Sequence, residues 1–494
     1  MFSIISILTH PAAKDFRSRR IYQLLTDRFA SNDNGNCDNL GNYCGGTFNA
    51  MVSKLDYIKD LGYDAIWISP TLEQAHNASN LYHGYAIANF YATNKYFGSD
   101  QDLINLVNEA HKRDIYVIAD VVYNHVGQCW GGSYDYSCIT TFPKSEYYHN
   151  PCDIQDWSDQ WQVQNCRLCN LPDLNQNNQF VHDELIHWAQ WYQQKFNFDG
   201  FRIDTVRHIN HDFWRDLRKV TPWFNIAEIF VDDFKFIKSF VSDEEVQTAL
   251  NYPFYFAVDR TIGSGQSMYQ LQANFHDGND IFGDTLRDLG IFFENHDNPR
   301  FLSQHNDLKR YENAIVLMHT WTGIPILYYG CEQDMNGGND PDNRRALWKT
   351  GYNQNSVHYK FIQILNKLRK QMPFETLNQQ ELFVAEDVYA FARGNRVMTV
   401  VTNRGSGNQV HYCGRQANFD FKKYQLFQNY FLYQFQLYIN SMFSSVSFLF
   451  YYFFQPFGHR VNQMIDDIQR DLLQRPLYFF IQQVICGTFF RGNV

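Results

Sequence analysis

Three acids stand at the ends of short apolar runs, and that pattern restricts the fold more than any other feature of the chain. Asp204 closes Gly200-Phe201-Arg202-Ile203, Glu228 closes Phe224-Asn225-Ile226-Ala227, and Asp297 follows Ile291-Phe292-Phe293-Glu294-Asn295-His296. Runs of this length and composition read as fully buried parallel strands. Packing does not explain a carboxylate there, since a buried charge must be paired or desolvated at a cost. In a (β/α)8 barrel the C-terminal strand ends carry the catalytic groups. Two or more acids held close together are the equipment for cleaving a glycosidic bond.

Strand and helix signals alternate from the N-terminus, which predicts an α/β architecture. Residues 21–26, 65–69 and 115–120 read as the first three strands. Between the first two, Leu55, Ile58 and Leu61 line one face of a helix that Gly62 ends. Ser99 and Asp102 form a capping-box start, with Leu103, Leu106, Val107 and Ala110 on the helix's apolar face. Residues 123–180 then lose periodicity, and a connection that long is usually functional or an inserted domain. Leu185, Trp188, Ala189 and Tyr192 restore helical spacing before the run ending at Asp204. The run ending at Glu228, a weaker one at 253–258, and 290–294 and 324–329 bring the strands to eight. Residues 383–393 and 396–403 read as two more strands.

Five ordered motifs also carry a family resemblance. Asp120-Val121-Val122-Tyr123-Asn124-His125, residues 200–208 (GFRIDTVRH), Ala227-Glu228-Ile229 and residues 293–300 (FENHDNPR) resemble the four signature regions of α-amylases, in order. Leu171-Pro172-Asp173-Leu174-Asn175 resembles a fifth, which in that family leans toward α-1,4-glucans over α-1,6 substrates. Residues 22–29 (YQLLTDRF), Tyr82-His83-Gly84-Tyr85 and Gly338-Asn339-Asp340-Pro341 are similar to the secreted fungal-type enzymes. The likeness runs over about residues 21–412 and is specific because the motifs come as an ordered set.

The resemblance implies a (β/α)8 barrel over 14–122 and 181–381, with a calcium-binding subdomain inserted at 123–180 after the third strand. A small C-terminal antiparallel β domain starts at 382–414 and reads as corrupted or truncated. The implied activity is retaining endo-hydrolysis of α-1,4-glucosidic bonds in starch- or glycogen-type polysaccharides. Asp204 would be the nucleophile, Glu228 the general acid and base, and Asp297 the acid supporting the transition state. His83, His125 and His296 would bond sugar hydroxyls, Tyr85 would stack on a sugar ring, and Asp340 and Arg344 would hold the non-reducing side. Arg207 stands where the family has a Lys on the leaving-group side, next to His208, and Ala86 and Ala227 replace a Trp and a Gly. For calcium, the family pattern implies Asn124 and Asp173 side chains with Gln164 and His208 carbonyls. Gln164 stands in place of the usual glutamate.

The residues themselves bear on protonation. Arg202 and Asp204 are two apart on one strand and so share a face. A guanidinium there favours the ionised acid, while the apolar neighbours of Glu228 favour the protonated one. Two other readings stay open: a related transglycosylase or oligosaccharide α-glucosidase, and a non-catalytic amylase-like module.

A net charge of −10 argues against a nucleic-acid partner. The partner expected is an α-glucan, the protein a monomer and a membrane role disfavoured. Ten cysteines favour an oxidising compartment and hence secretion. The resemblance implies Cys37–Cys44 and Cys152–Cys166 disulfides, and Cys129 and Cys138 could close a third short loop. Cys166-Arg167-Leu168-Cys169 matches a redox CxxC only superficially, for lack of a thioredoxin-like context. The first eight residues are apolar but lack a basic region, so at best they are a truncated signal peptide. Asn77-Ala78-Ser79 is a glycosylation acceptor. The tail, 415–494, departs from the family. No charged residue occurs at 424–458, and the stretch is dense in Phe and Tyr. A mistranslated stretch would explain it. Residues 431–454 are also long enough to span a bilayer, though rich in Gln, Asn and Ser for that.

Overall fold

Eight parallel strands wind into a nearly closed barrel, followed by a three-stranded antiparallel sheet. The computed structural model describes residues 11–33, 35–75, 79–131 and 134–406. Expectations for the tail and for Asn77 fall outside the described residues. Among the described residues, no helix is long and apolar enough to cross a membrane.

The strands are, in chain order, β1 Ile21–Leu24, β2 Ala65–Ile68, β3 Leu72–Gln74, β4 Ile87–Thr93, β5 Tyr116–Val121, β6 Gly200–Ile203, β7 Phe224–Ala227, β8 Thr248–Ala249, β9 Gly290–Ile291, β10 Ile324–Tyr328, β11 Gln379–Val384, β12 Val388–Arg393 and β13 Val397–Thr402. The barrel runs β8-β7-β6-β5-β2-β1-β10-β9, and a parallel bridge between Leu250 and Gly290 joins its two ends. β3 and β4 pair as a separate hairpin after the second barrel strand.

Alternation along each strand sorts side chains into two cores. Ile21, Ala65, Trp67, Ile118, Phe224, Ile226, Ile324 and Ile326 cluster together and fill the barrel, as expected for a packed (β/α)8 interior. Tyr22, Leu24, Ile66, Ile68, Phe201 and Ile203 belong to the larger cluster formed with the surrounding helices. A short helix, Ala13–Phe16, closes the bottom, where Phe16 stacks on Phe224 with centroids 3.8 Å apart. Functional groups are therefore left to the opposite, C-terminal mouth.

The expected helices form. Leu55–Leu61 ends at Gly62, whose φ of 100° supplies the left-handed cap. Asp100–Lys112 starts at Ser99, which exchanges bonds with Asp102, and buries the four apolar residues named above. Gln179–Phe196 buries Leu185, Trp188, Ala189 and Tyr192.

Two strand expectations are corrected. Residues 253–258 are not the sixth strand but lie in a helix, Tyr252–Val258; the sixth strand is β8, just before it. Asn251 caps that helix by accepting from the Phe254 N–H at 2.9 Å, and Pro253 sits in the first turn, where no N–H is needed. The aromatic run Phe254-Tyr255-Phe256 has strand propensity, but capping chemistry decides. Residues 383–393 are not one strand either. They hold the end of β11, a turn, and β12, with β13 completing an antiparallel order β11-β12-β13. The run at 290–294 contributes only two strand residues, Gly290–Ile291.

All three short-loop disulfides form: Cys37–Cys44, Cys129–Cys138 and Cys152–Cys166. Because Cys166 pairs with Cys152, Cys169 keeps a free, exposed thiol and the CxxC pair is not a disulfide.

Candidate active site

Arg202 organises the mouth of the barrel. Its neighbours in sequence, Phe201 and Ile203, face the helices, so pleating turns Arg202 and Asp204 toward the lumen. The guanidinium is fully buried and reaches three carboxylates: Nη1 lies 2.7 Å from Asp204 Oδ1 and 2.9 Å from Asp120 Oδ1, and Nη2 lies 3.1 Å from Glu228 Oε1. Asp120 is the direct cross-strand partner of Arg202. Glu228 thus has a cation beside it, supplied by the adjacent strand, although its own sequence neighbours are apolar.

Glu228 also accepts the Thr205 N–H at Oε2, 2.9 Å away, and Tyr252 approaches Oε1 at 3.5 Å. Thr205 holds φ 51°, a left-handed conformation that strains a β-branched residue. That turn places its N–H toward Glu228 immediately after Asp204. Burial pushes the Glu228 carboxyl up to about 8, with Arg202 opposing and Asp204 and Asp297 adding to the rise. Burial also raises Asp204, to about 6, with Arg202 again opposing. The guanidinium alone does not hold Asp204 low, as its sequence position suggests; desolvation outweighs it. The two carboxyls thus lie on opposite sides of neutrality, Glu228 toward the protonated form and Asp204 toward the ionised one.

Asp297 lies on the loop after β9. Its Oδ1 is 3.5 Å from Arg344 Nη2, its Oδ2 is 3.4 Å from His296 Nε2, and its N–H donates to Asn295 Oδ1 at 3.0 Å. Burial would raise its carboxyl, but His296, Arg344 and Arg202 together bring it below the usual value. Arg344 also pairs with Asp340 at 3.1 Å, and Asp340 accepts from Tyr82 at 2.9 Å.

The rings form a column. Tyr85 stacks between His83 and His296, with centroids 5.7 and 5.6 Å away and interplanar angles of 18° and 12°. Gly84 makes this possible: at φ 92°, a Cβ there would stand 2.4 Å from the Pro70 carbonyl oxygen. Burial lowers His83 and His125 to about 4, and His296 to about 3, so all three are neutral near pH 7. His125 Nε2 is buried without a partner.

Not every expected residue gathers at the acids. Arg207 donates to the Trp157 carbonyl at 3.0 Å, away from the three carboxylates. His208 is buried, and burial first and Arg207 second push its imidazole down to about 3. Gln164 donates to the Ile209 carbonyl at 3.3 Å. Asn124 and Asp173 come together across an antiparallel bridge between His125 and Asp173, with the Leu174 N–H on the Asn124 carbonyl at 2.8 Å. Asn124 Oδ1 and Asp173 Oδ1 are both buried without a hydrogen-bond partner. Among the described residues, no cluster of three or more His, Cys, Asp or Glu side chains is arranged to hold a metal.

Sequence reasoning passed over Asp120, Gln23, Trp67, Tyr252 and Asn343. Asp120 had a usable signal, since it too is an acid closing an apolar run. The others are polar or aromatic residues whose partners lie on distant loops and strands.

Residues 23–379 match the family described as "Alpha amylase, catalytic domain". The chain belongs to the α-amylase family. An alpha-amylase of Saccharomycopsis fibuligera is 36% identical over 415 residues, covering 80% of this chain and 83% of the relative. Alpha-amylase 2 of Schwanniomyces occidentalis is 36% identical over 428 residues, covering 81% and 82%. Among solved structures, an alpha-amylase from Malbranchea cinnamomea superposes with a TM-score of 0.75 at 35% identity, covering 80% of this chain and 86% of the other. The protein is thus a glycoside hydrolase of the α-amylase family, which acts on α-glucans such as starch.

Proposed function

We propose that this chain hydrolyses internal α-1,4-glucosidic bonds of starch- or glycogen-type polysaccharides with retention of anomeric configuration. Asp204 is the nucleophile, Glu228 the general acid and then base, and Asp297 the carboxylate that supports the oxocarbenium-like transition state. The observation carrying this reading is the single buried guanidinium between Asp204 and Glu228, with the two acids on opposite sides of neutrality. The ionised Asp204 attacks the anomeric carbon while Glu228 delivers its proton to the departing oxygen. Glu228, now a carboxylate, takes a proton from water, which opens the glycosyl–enzyme ester. The neutral His83, His125 and His296 and the ring of Tyr85 line the glycone, and Asp340 and Arg344 hold its non-reducing side. Arg207 and His208 belong to the leaving-group side of the cleft.

Calcium fits the junction between residues 123–180 and the loop after β6. Asn124 Oδ1 and Asp173 Oδ1 are buried oxygens lacking partners, and an oxygen-only shell with peptide carbonyls from Gln164 and His208 is the kind calcium takes. The ion would supply positive charge and a cross-link. The same reading makes the protein secreted, the setting in which three disulfides persist.

The test is product analysis on soluble starch. Iodine staining should fall ahead of reducing-sugar release, and the new reducing ends should appear first as the α-anomer. First appearance of the β-anomer, glucose released only from chain ends, transfer products in place of hydrolysis, or no cleavage by folded protein would each overturn the reading.

A further inference from the structure

We propose that Gln23 is a positioning residue: its side-chain amide, acting at Nδ1 as Tyr85 acts at Nε2, holds His296 in the tautomer that carries its proton on Nε2. The inference takes from the proposed function only that His296 faces the glycone.

Hydrogen-bond direction decides the tautomer. Asp120 is buried and spends Oδ1 on Arg202 at 2.9 Å. Its Oδ2 receives the Trp67 indole N–H at 2.9 Å and the Tyr85 hydroxyl at 2.8 Å. An ionised carboxylate only accepts, and a phenol has one proton, so Tyr85 gives that proton to Asp120. Tyr85 Oη also lies 2.7 Å from His296 Nε2. With its proton spent, Tyr85 can only accept there, so Nε2 must donate. The imidazole is neutral, because burial, with Arg344, Arg202 and His83 adding to it, outweighs the pull of Asp297. One proton on Nε2 leaves a lone pair on Nδ1. That lone pair meets Gln23 Nε2 at 2.7 Å.

Gln23 sets the Nδ1 end of the ring as Tyr85 sets the Nε2 end. Tyr85 stacks on one face, Trp67 meets the ring edge-on at 5.9 Å, and the Asp297 carboxylate lies 3.4 Å from Nε2. In the other tautomer the Nε2 lone pair would point at that carboxylate. Gln23 reaches the site because it projects from β1 at the barrel mouth, where it is 2% exposed, and its Oε1 stays buried without a partner. The amide is therefore committed to Nδ1 at the expense of its own carbonyl. The result is a directed chain, Gln23 to His296 to Tyr85 to Asp120, in which the Nε2–H is spent on Tyr85 and holds that ring beside the glycone.

The experiment is nitrogen NMR of the full chain labelled at histidine, with the His296 signal assigned by its loss in His296→Gln. In the unmodified protein at neutral pH, Nε2 should resonate as protonated and Nδ1 as bare. A proton on Nδ1 overturns the proposal. Gln23→Met should give mixed tautomers and lower kcat/KM about ten-fold, chiefly in kcat, about what losing one oriented hydrogen bond costs. Gln23→Glu, which can only accept at Nδ1, should move the His296 titration upward from about 3 into the ordinary histidine range and shift the acid limb of the rate profile with it. If both variants keep the unmodified tautomer and titration, Gln23 does not set them. The NMR readout needs no activity, so failure of starch hydrolysis with the expected spectra would sink the proposed function and leave this inference standing.

Discussion

Arg202 makes two acids of similar burial unequal. It spends its shortest contact on Asp204 and a longer one on Glu228, and Thr205 turns only a peptide N–H toward the latter. The rate profile follows with a definite sign. In the proposed roles Glu228 acts protonated, so kcat/KM should fall as pH rises through about 8, and Asp204 acts ionised, so it should fall as pH drops through about 6. A flat profile across pH 5–9 would contradict that assignment. Asp204→Asn should keep its fold, by circular dichroism and melting, yet lose several orders of magnitude in kcat, because no other group can form the ester. Near-normal starch hydrolysis by that variant would remove Asp204 from the role. The three acids were legible in the sequence because each follows an apolar run at a strand's end. The cation beside Glu228 was not, because it arrives on the neighbouring strand, and neighbour order in a barrel is not written in any local window.

Two loops, after β9 and β10, carry Asp297 and Arg344, and Asn343 stitches them together. Its Nδ2 donates to the carbonyls of His296 and Asn298, at 2.8 and 2.9 Å, on either side of Asp297, while Arg344 Nε donates to the same His296 carbonyl at 2.9 Å. Arg300 and Tyr328 in turn hold the Asn343 carbonyl. Asn343→Ala leaves the Asn298 carbonyl without its donor and opens a void, at about 1–3 kcal/mol of stability. Because the loop moves Asp297 and His296 together, kcat/KM should fall about ten- to hundred-fold while the pH limbs stay in place. Denaturant unfolding and kinetics would check both; unchanged kinetics would show that Arg344 alone secures the loop. Elements with caps or clean apolar spacing were predictable, as at Ser99 and Gly62. Where a strand shrinks to two residues, as in β8, no periodicity exists to read, and the aromatic helix after it takes the strand's place in the pattern.

At the scale of the whole molecule, the barrel is plugged below by Phe16 and open above, and the segment at 123–180 leans on that opening. It touches the loop after β6 through bonds that include Gln160 to the Arg207 carbonyl at 2.6 Å, Arg207 to the Trp157 carbonyl, Gln164 to the Ile209 carbonyl and Asn210 to Asn177 Oδ1 at 3.2 Å. The Cys152–Cys166 disulfide closes the segment on itself, so it does not fasten the segment to the barrel. The unpartnered oxygens of Asn124 and Asp173 lie at the root of the same segment. A cation bound there would stabilise only the folded arrangement, by about 2.7 kcal/mol at a hundred-fold excess over its dissociation constant. Removing it should lower melting temperature and starch hydrolysis together, and calcium should restore both. Asp173→Asn should mimic chelation and blunt the response to added calcium, whereas Cys169→Ser, at an exposed free thiol outside the proposed ligand set, should respond like the unmodified protein. If exhaustive chelation moves neither the melting temperature nor the rate, the bonds to the loop after β6 and to β4 hold the segment without a cation, and the calcium assignment fails.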